Sequence, residues 1–130
     1  MKYAKECGVL EHFRVLGPVP FDHLVGLMRH ATAFINPSKF EGWSTTVEEA
    51  KSMGKQIILS DIPVHREQAP ERGIFFPAED AESLAQAMLK TSLDFDEKRD
   101  TDMQEMARKQ FLARQIGFGE TYLRIVRGLV

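Results

Sequence analysis

Short apolar runs punctuate the sequence and predict the strands of a sheet. Each run is too short for a helix of ordinary length and is bounded by glycine, proline or polar residues. The predicted strands cover residues 12–17, 32–36, 56–60 and 73–76. Strands of a parallel sheet are commonly buried on both faces. The predicted core therefore contains the side chains of Val15, Phe34, Ile35, Ile57, Ile58, Leu59 and Phe75.

Between these runs, apolar residues recur with the spacing of amphipathic helices. The predicted helices cover residues 2–8, 21–31, 45–53, 80–93 and 95–114, with a short helical turn between Pro63 and Pro70. Gly117 and Gly119 are expected to interrupt the chain before a last apolar stripe at residues 122–126. Alternating strands and helices are typical of a parallel sheet covered on both faces. The sequence therefore predicts an α/β fold, with a partial Rossmann-like parallel sheet of about four strands, in a single domain over residues 1–130.

The segment from Pro37 to Gly54 holds the residues with the clearest chemical meaning. Glu41 and Glu49 flank one glycine, one tryptophan and three hydroxyl residues, namely Gly42, Trp43, Ser44, Thr45 and Thr46. A predicted strand precedes this group and a predicted helix follows it, so free backbone N–H groups and the positive end of a helix dipole face the loop. Such a helix start suits an anion such as a diphosphate, and neighbouring carboxylates can accept hydrogen bonds from sugar hydroxyl groups.

The same residues also fit a purely structural interpretation. Thr45-x-x-Glu48 and Thr46-x-x-Glu49 both match the capping box, in which a Ser or Thr caps a helix and a Glu bonds back. Capping does not account for Glu41 or for the glycine after it. The two interpretations are compatible, because Glu48 can cap the helix or face solvent while Glu49 reaches a ligand.

The composition narrows the classes of function. The chain has 130 residues, is 43% hydrophobic and carries a net charge of -2 without a basic run, so a nucleic-acid partner is not expected. Its single cysteine, Cys7, excludes an internal disulfide, and no G-x-G-x-x-G follows a predicted strand, which disfavours a dinucleotide dehydrogenase. No apolar stretch approaches the ~20 residues that span a bilayer, and the first residues lack the apolar region of a signal peptide. We expect a cytoplasmic location and no metal site.

An ordered series of residues resembles a known family signature. The series is Pro37-Ser38, Glu41-Gly42-Trp43, Glu49-Ala50 and Gly54. It is similar to the signature of the glycogen-synthase-like retaining glycosyltransferases of family 4, which have the two-domain GT-B fold. The resemblance continues in residues 13–20, 56–63, 65–67 and 73–76, and it covers about residues 3–128.

The resemblance implies a nucleotide-sugar donor and a role for each matched residue. Glu41 would be the catalytic residue that contacts and orients the transferred sugar, and Glu49 would bind the ribose hydroxyl groups. The residues that would bind the diphosphate are Gly42, Trp43, Ser44, Thr45 and Thr46. Gly17 and Val19 belong to the segment before the nucleobase pocket. The family generally needs no metal or other cofactor. Ser44 stands where the family often has glycine.

The resemblance also implies that the chain corresponds to only part of such an enzyme. The four predicted strands match strands 3 to 6 of the donor domain, whose order is 3-2-1-4-5-6. The chain has no counterpart of three parts of the family's enzymes, namely strands 1 and 2, the basic residues that follow strand 1, and the N-terminal acceptor domain. A glycan, lipid or other acceptor, and any peripheral membrane association, would involve those parts. We therefore expect a donor-binding fragment that is inactive alone. Two alternatives stay open, a non-catalytic nucleotide-binding or interaction module and a fragment of a nucleotide-sugar epimerase.

Overall fold

The computed structural model describes residues 2–128, which form six α-helices and one three-stranded sheet. In chain order the elements are α1 (Lys2–Glu6), α2 (Phe21–His30), β1 (Phe34–Asn36), α3 (Thr45–Ser52), β2 (Ile57–Ser60), α4 (Pro63–Gln68), β3 (Gly73–Phe76), α5 (Ala81–Leu93) and α6 (Glu97–Gly128). A short 3₁₀ turn covers Leu10–His12. The α/β class predicted from the alternation of elements is confirmed.

The three strands are parallel and lie in the order β1-β2-β3. The central strand β2 is buried along its whole length, because it has a strand on each side. The core cluster consists of buried side chains from β2 and α3, namely Ile57, Leu59, Val47 and Ala50. Phe34 and Phe75, from the two outer strands, pack against this cluster. Ile58 is also buried, so the predicted core is confirmed for β2.

Residues 12–17 do not form the predicted fourth strand. Beyond the 3₁₀ turn they have no regular structure, and Val15 is 76% exposed. Among the described residues, no hydrogen bond involves residues 14–19. A strand gains stability from cross-strand pairing, and this segment has no strand beside it. The prediction of a buried Val15 is therefore wrong. Ile35, which is 41% exposed, lies on the edge strand β1 and is less buried than predicted for the same reason.

The last helix is longer than the sequence pattern predicts. α6 runs without interruption from Glu97 to Gly128, through both Gly117 and Gly119. A glycine inside a helix costs only about 1 kcal/mol relative to alanine, so a long helix can continue through one. Ala107 is buried, whereas no residue from 108 to 128 is buried. The first part of α6 therefore packs on the domain, and the remainder lies largely in solvent.

A buried ionic cluster, formed by Lys55, Arg72 and Asp100, holds α6 at the amino end of the sheet. Lys55 Nζ donates to Asp100 Oδ2 at 2.5 Å, and Arg72 Nη1 donates to Asp100 Oδ1 at 2.8 Å. Gln104 of α6 also donates to Asp100 Oδ2, at 2.9 Å. At Gly54, which has φ +67°, an added Cβ would lie 2.5 Å from a backbone oxygen of α6. The contact between the helix and the sheet therefore depends on a small residue and on paired charges.

Candidate functional site

The candidate site lies on the loop between β1 and α3. β1 ends at Asn36 and α3 begins at Thr45, which confirms the predicted order of strand, short loop and helix. In a parallel sheet all the carboxyl ends of the strands meet at one edge. Ligands of open α/β sheets bind outside that edge. The fold therefore places the segment from Pro37 to Ser44 where a ligand is expected.

The first turn of α3 presents free donors. Ser44 is the N-cap residue, but its side chain does not cap the helix. Its hydroxyl oxygen instead accepts a hydrogen bond from Asn36 Nδ2 at 3.0 Å. The backbone N–H groups of the exposed residues Thr45 and Thr46 have no acceptor among the described residues. These donors, together with the helix dipole, form a surface suited to an anion.

Neither predicted capping box forms. Because Ser44 is the N-cap, neither glutamate occupies the N3 position, from which a side chain bonds back to the cap. The carboxylate of Glu48 instead accepts hydrogen bonds from Lys51 Nζ at 3.1 Å and from Gln68 Nε2 at 2.9 Å. The side chain of Glu49 is half-buried and takes part in no hydrogen bond with a described residue. The capping interpretation is therefore wrong for both pairs, and the Glu49 carboxylate is available.

Glu41 is held by neutral donors. Ser38 Oγ donates to Glu41 Oε1 at 2.7 Å, and Asn36 Nδ2 donates to the same oxygen at 3.4 Å. The hydrogen bonds from Ser38 and then Asn36 lower the pKa of Glu41, partial burial opposes them, and electrostatic attraction from His65 adds to the lowering. A Glu with a lowered pKa is ionised at neutral pH. Glu41 is therefore a charged acceptor beside the free N–H groups of α3.

The remaining residues of the loop are accessible. Trp43 is 51% exposed, and Thr45 and Thr46 are exposed as well. A Cβ added to Gly42 would meet nothing within 4 Å, so the surface above this residue is open. A ligand can therefore approach the backbone of the loop directly.

The structure does not bring every predicted site residue together. Asn36 links Glu41 to Ser44 by hydrogen bonds, but no hydrogen-bond partner among the described residues is shared by Glu41 and Glu49, which lies on α3. Gly17, with φ +65°, and the half-buried Val19 lie in the segment without hydrogen bonds. Their assignment to a nucleobase pocket stays a prediction.

A layer of polar side chains that the sequence pattern does not predict lies beneath the loop. Ser60, at the carboxyl end of β2, donates through Oγ to the backbone oxygen of Ser38. His65 Nδ1 lies 2.9 Å from the backbone oxygen of Ser60 and 3.2 Å from Ser60 Oγ. Because a carbonyl oxygen only accepts, Nδ1 carries the proton. Ser60 and His65 are both fully buried. The signal in the sequence is that two of the predicted strands end in a polar residue, Asn36 and Ser60.

Within residues 2–128 no three His, Cys, Asp or Glu residues are placed to hold a metal ion. Over the same residues, no helix is both long enough and apolar enough to span a membrane.

Comparison with known proteins adds one finding to this geometry. A sequence profile of the family described as "Glycosyl transferases group 1" matches residues 1–110. No curated protein and no solved structure matches the chain. The profile covers the sheet, the candidate site and the packed part of α6. The chain therefore belongs to the glycosyl transferases group 1 family.

Proposed function

We propose that the chain is the donor-binding part of a retaining glycosyltransferase of family 4, which transfers a sugar from a nucleotide-sugar to an acceptor. One observation carries the proposal. An ionised Glu41 and the unpaired N–H groups of α3 share one loop at the carboxyl end of a parallel sheet. Membership of the glycosyl transferases group 1 family supports this use of the loop.

The diphosphate of the donor would lie at the start of α3. Glycosyl transfer breaks the bond between the anomeric carbon and the diphosphate, so negative charge grows on the leaving phosphate. The N–H groups of Thr45 and Thr46 would donate to that phosphate. Donors that are already oriented need no rearrangement as the charge develops, which is why such groups lower reaction barriers.

The two carboxylates would bind the two sugars of the donor. Glu49, whose carboxylate is free of hydrogen bonds to described residues, would accept hydrogen bonds from the ribose hydroxyl groups. Glu41 would contact the transferred sugar, orient it, and stabilise the positive charge that develops on its ring. A carboxylate can accept two hydroxyl hydrogen bonds at once, which suits both roles.

The same proposal covers what lies beyond the described residues. The acceptor would bind an N-terminal domain of the GT-B fold, and two further strands with basic residues would complete the donor site. The reaction would use no metal or other cofactor, and the protein would act in the cytoplasm in glycan biosynthesis. Until such parts are present, the 130-residue chain would bind the donor weakly and transfer nothing.

Amide NMR of the 130-residue chain with UDP-sugars and GDP-sugars tests the binding mode. Saturating donor should shift the amide signals of residues 42–46 first, because their N–H groups would face the ligand and have no backbone acceptor. Glu49→Ala should weaken the shifts, whereas Glu105→Ala, which removes the same charge from an exposed position of α6, should not. Shifts confined to α5 or α6, with residues 42–46 unchanged, would contradict the proposed site.

A further inference from the structure

The two oxygens of the Glu41 carboxylate have different environments. Oε1 accepts the hydrogen bonds from Ser38 and Asn36. Oε2 accepts none from a described residue. We infer that Asn36 and Ser38 are positioning residues that hold Oε1 of Glu41 and leave Oε2 to meet the ligand. The identification of that ligand as a sugar hydroxyl or ring rests on the function proposed above, whereas the positioning of Glu41 is a property of the free chain.

Asn36 is well suited to orient Glu41. It is the last residue of β1 and is in register with Leu59 of the buried strand β2, so its backbone is fixed. Its Oδ1 accepts a hydrogen bond from the backbone N–H of Ser38 at 3.2 Å. That contact assigns the amide orientation, because the opposite orientation would set a donor against a donor. Nδ2 is therefore the group that faces Glu41 and Ser44.

Ser38 is supported from the core. Its backbone oxygen accepts the hydrogen bond from Ser60 Oγ, and Ser60 in turn contacts the ring of His65. Both supporting side chains are fully buried, whereas Ser38 is only half-buried. Buried, hydrogen-bonded side chains have few alternative rotamers, so they fix the residue above them. The backbone of Ser38, from which its hydroxyl reaches Glu41, is thus anchored to β2 and α4.

A second carboxylate near the same edge of the sheet shows the difference between a paired and an available group. Asp61 follows β2 directly, but both of its oxygens accept hydrogen bonds from Arg66, at 2.6 and 2.7 Å. Its charge is neutralised and its acceptors are occupied. Glu41 is held instead by a hydroxyl and an amide, which carry no charge. The arrangement therefore fixes Glu41 and preserves its negative charge for a ligand.

Carboxyl-carbon NMR titration of the 130-residue chain tests the inference without any ligand. In the wild-type chain Glu41 should titrate below the ordinary pKa of a glutamate, because both donors favour the ionised form. Ser38→Ala and Asn36→Ala should each move the Glu41 titration to higher pH, and Ser38→Thr, which keeps the hydroxyl, should restore it. The matched control is Ser83→Ala, which removes the hydroxyl that donates to Asp80 Oδ2 at 2.6 Å. It should move the titration of Asp80 and leave that of Glu41 unchanged.

Two results would overturn the inference. One is a wild-type Glu41 that titrates at or above the ordinary value, which requires no variant to fold. The other is an unchanged Glu41 titration in both alanine variants with a native amide spectrum. These results test the positioning of Glu41 separately from the proposed function. Failure to bind UDP-sugars or GDP-sugars would count against that function alone, whereas retained binding with an unshifted Glu41 would count against the positioning role alone.

Discussion

Removal of Asp100 should destabilise the chain strongly, because this carboxylate balances two cations at the base of α6. The Lys55 side chain is 0% exposed and that of Asp100 is 5% exposed, so neither charge has access to water. Asp100→Ala would leave the ammonium of Lys55 buried with one remaining acceptor, the backbone oxygen of Arg29 at 3.1 Å. Removal of one partner of a buried pair typically costs about 3–5 kcal/mol.

That cost is a large part of the stability of a small domain, which is about 5–15 kcal/mol in total. Urea unfolding followed by far-UV circular dichroism measures it directly. With an m value of about 2 kcal/mol per molar urea, the midpoint should fall by about 1.5–2.5 M. Asp102→Ala, two positions along α6 at an exposed residue, should change the free energy of unfolding by no more than about 0.5 kcal/mol.

The double variant Lys55→Met with Asp100→Leu distinguishes charge pairing from simple loss of a side chain. Apolar residues of similar volume avoid the cost of buried charge, so this variant should recover much of the stability lost in Asp100→Ala. If Asp100→Ala lowers the free energy of unfolding by less than about 1 kcal/mol, the buried pair does not hold α6 as described. Equal losses in the Asp100 and Asp102 variants would lead to the same conclusion.

Four further predictions concern pH, the site and the surface. Burial raises the pKa of Asp100, but hydrogen bonds from Lys55, Arg72 and Gln104 outweigh this effect, so the net result is a lowered pKa. Its stabilising contribution should therefore be complete above about pH 4, the ordinary aspartate value, and be lost as the pH falls through the lower folded value, so Asp100→Asn should flatten acid unfolding curves. In an active enzyme that contains this segment, Glu49→Ala should weaken donor binding by about 1.5–3 kcal/mol, and Glu41→Ala should reduce turnover more than donor binding. Equal losses in donor affinity and in kcat for both variants would refute these roles. The 130-residue chain alone should transfer no sugar, since holding two substrates in place supplies ~7–11 kcal/mol of catalysis, and transfer by the purified chain would contradict this. Exposed apolar side chains in residues 9–27 and 111–126 should cause self-association, and a molar mass independent of concentration in light scattering would exclude it.

The sequence predicts elements well where the apolar pattern and the packing partner are close together. β2 and α3 are adjacent in the chain, and both formed as predicted because Ile57 and Leu59 meet Val47 and Ala50 in one cluster. Residues 12–17 also contain a short apolar run but have no strand beside them in the structure. Periodicity reports which face of a segment is apolar, and it does not report whether a neighbour exists to cover it.

The sequence predicts the loop of the candidate site but not the residues that support it, for a similar reason. Glu41, the loop and the helix start are visible as a motif because their order along the chain fixes their proximity. Their supports come from separate elements, since Ser60 ends β2 and His65 lies on α4. Only the register of the sheet brings these residues beneath the loop. The absence of a helix cap likewise depends on Asn36, which engages the hydroxyl of Ser44 that would otherwise cap α3.

The supports of Glu41 all lie between Asn36 and His65, within β1, β2, α4 and the loop itself. None of them belongs to residues 2–30, where the predicted strand is absent and many apolar side chains are exposed. The carboxylate can therefore be oriented by a sheet of three strands even though the segment with Gly17 and Val19 makes no hydrogen bond to it. The proposed nucleotide pocket would therefore form independently of the orientation of Glu41. Changes in residues 13–20 should alter donor affinity without moving the titration of Glu41.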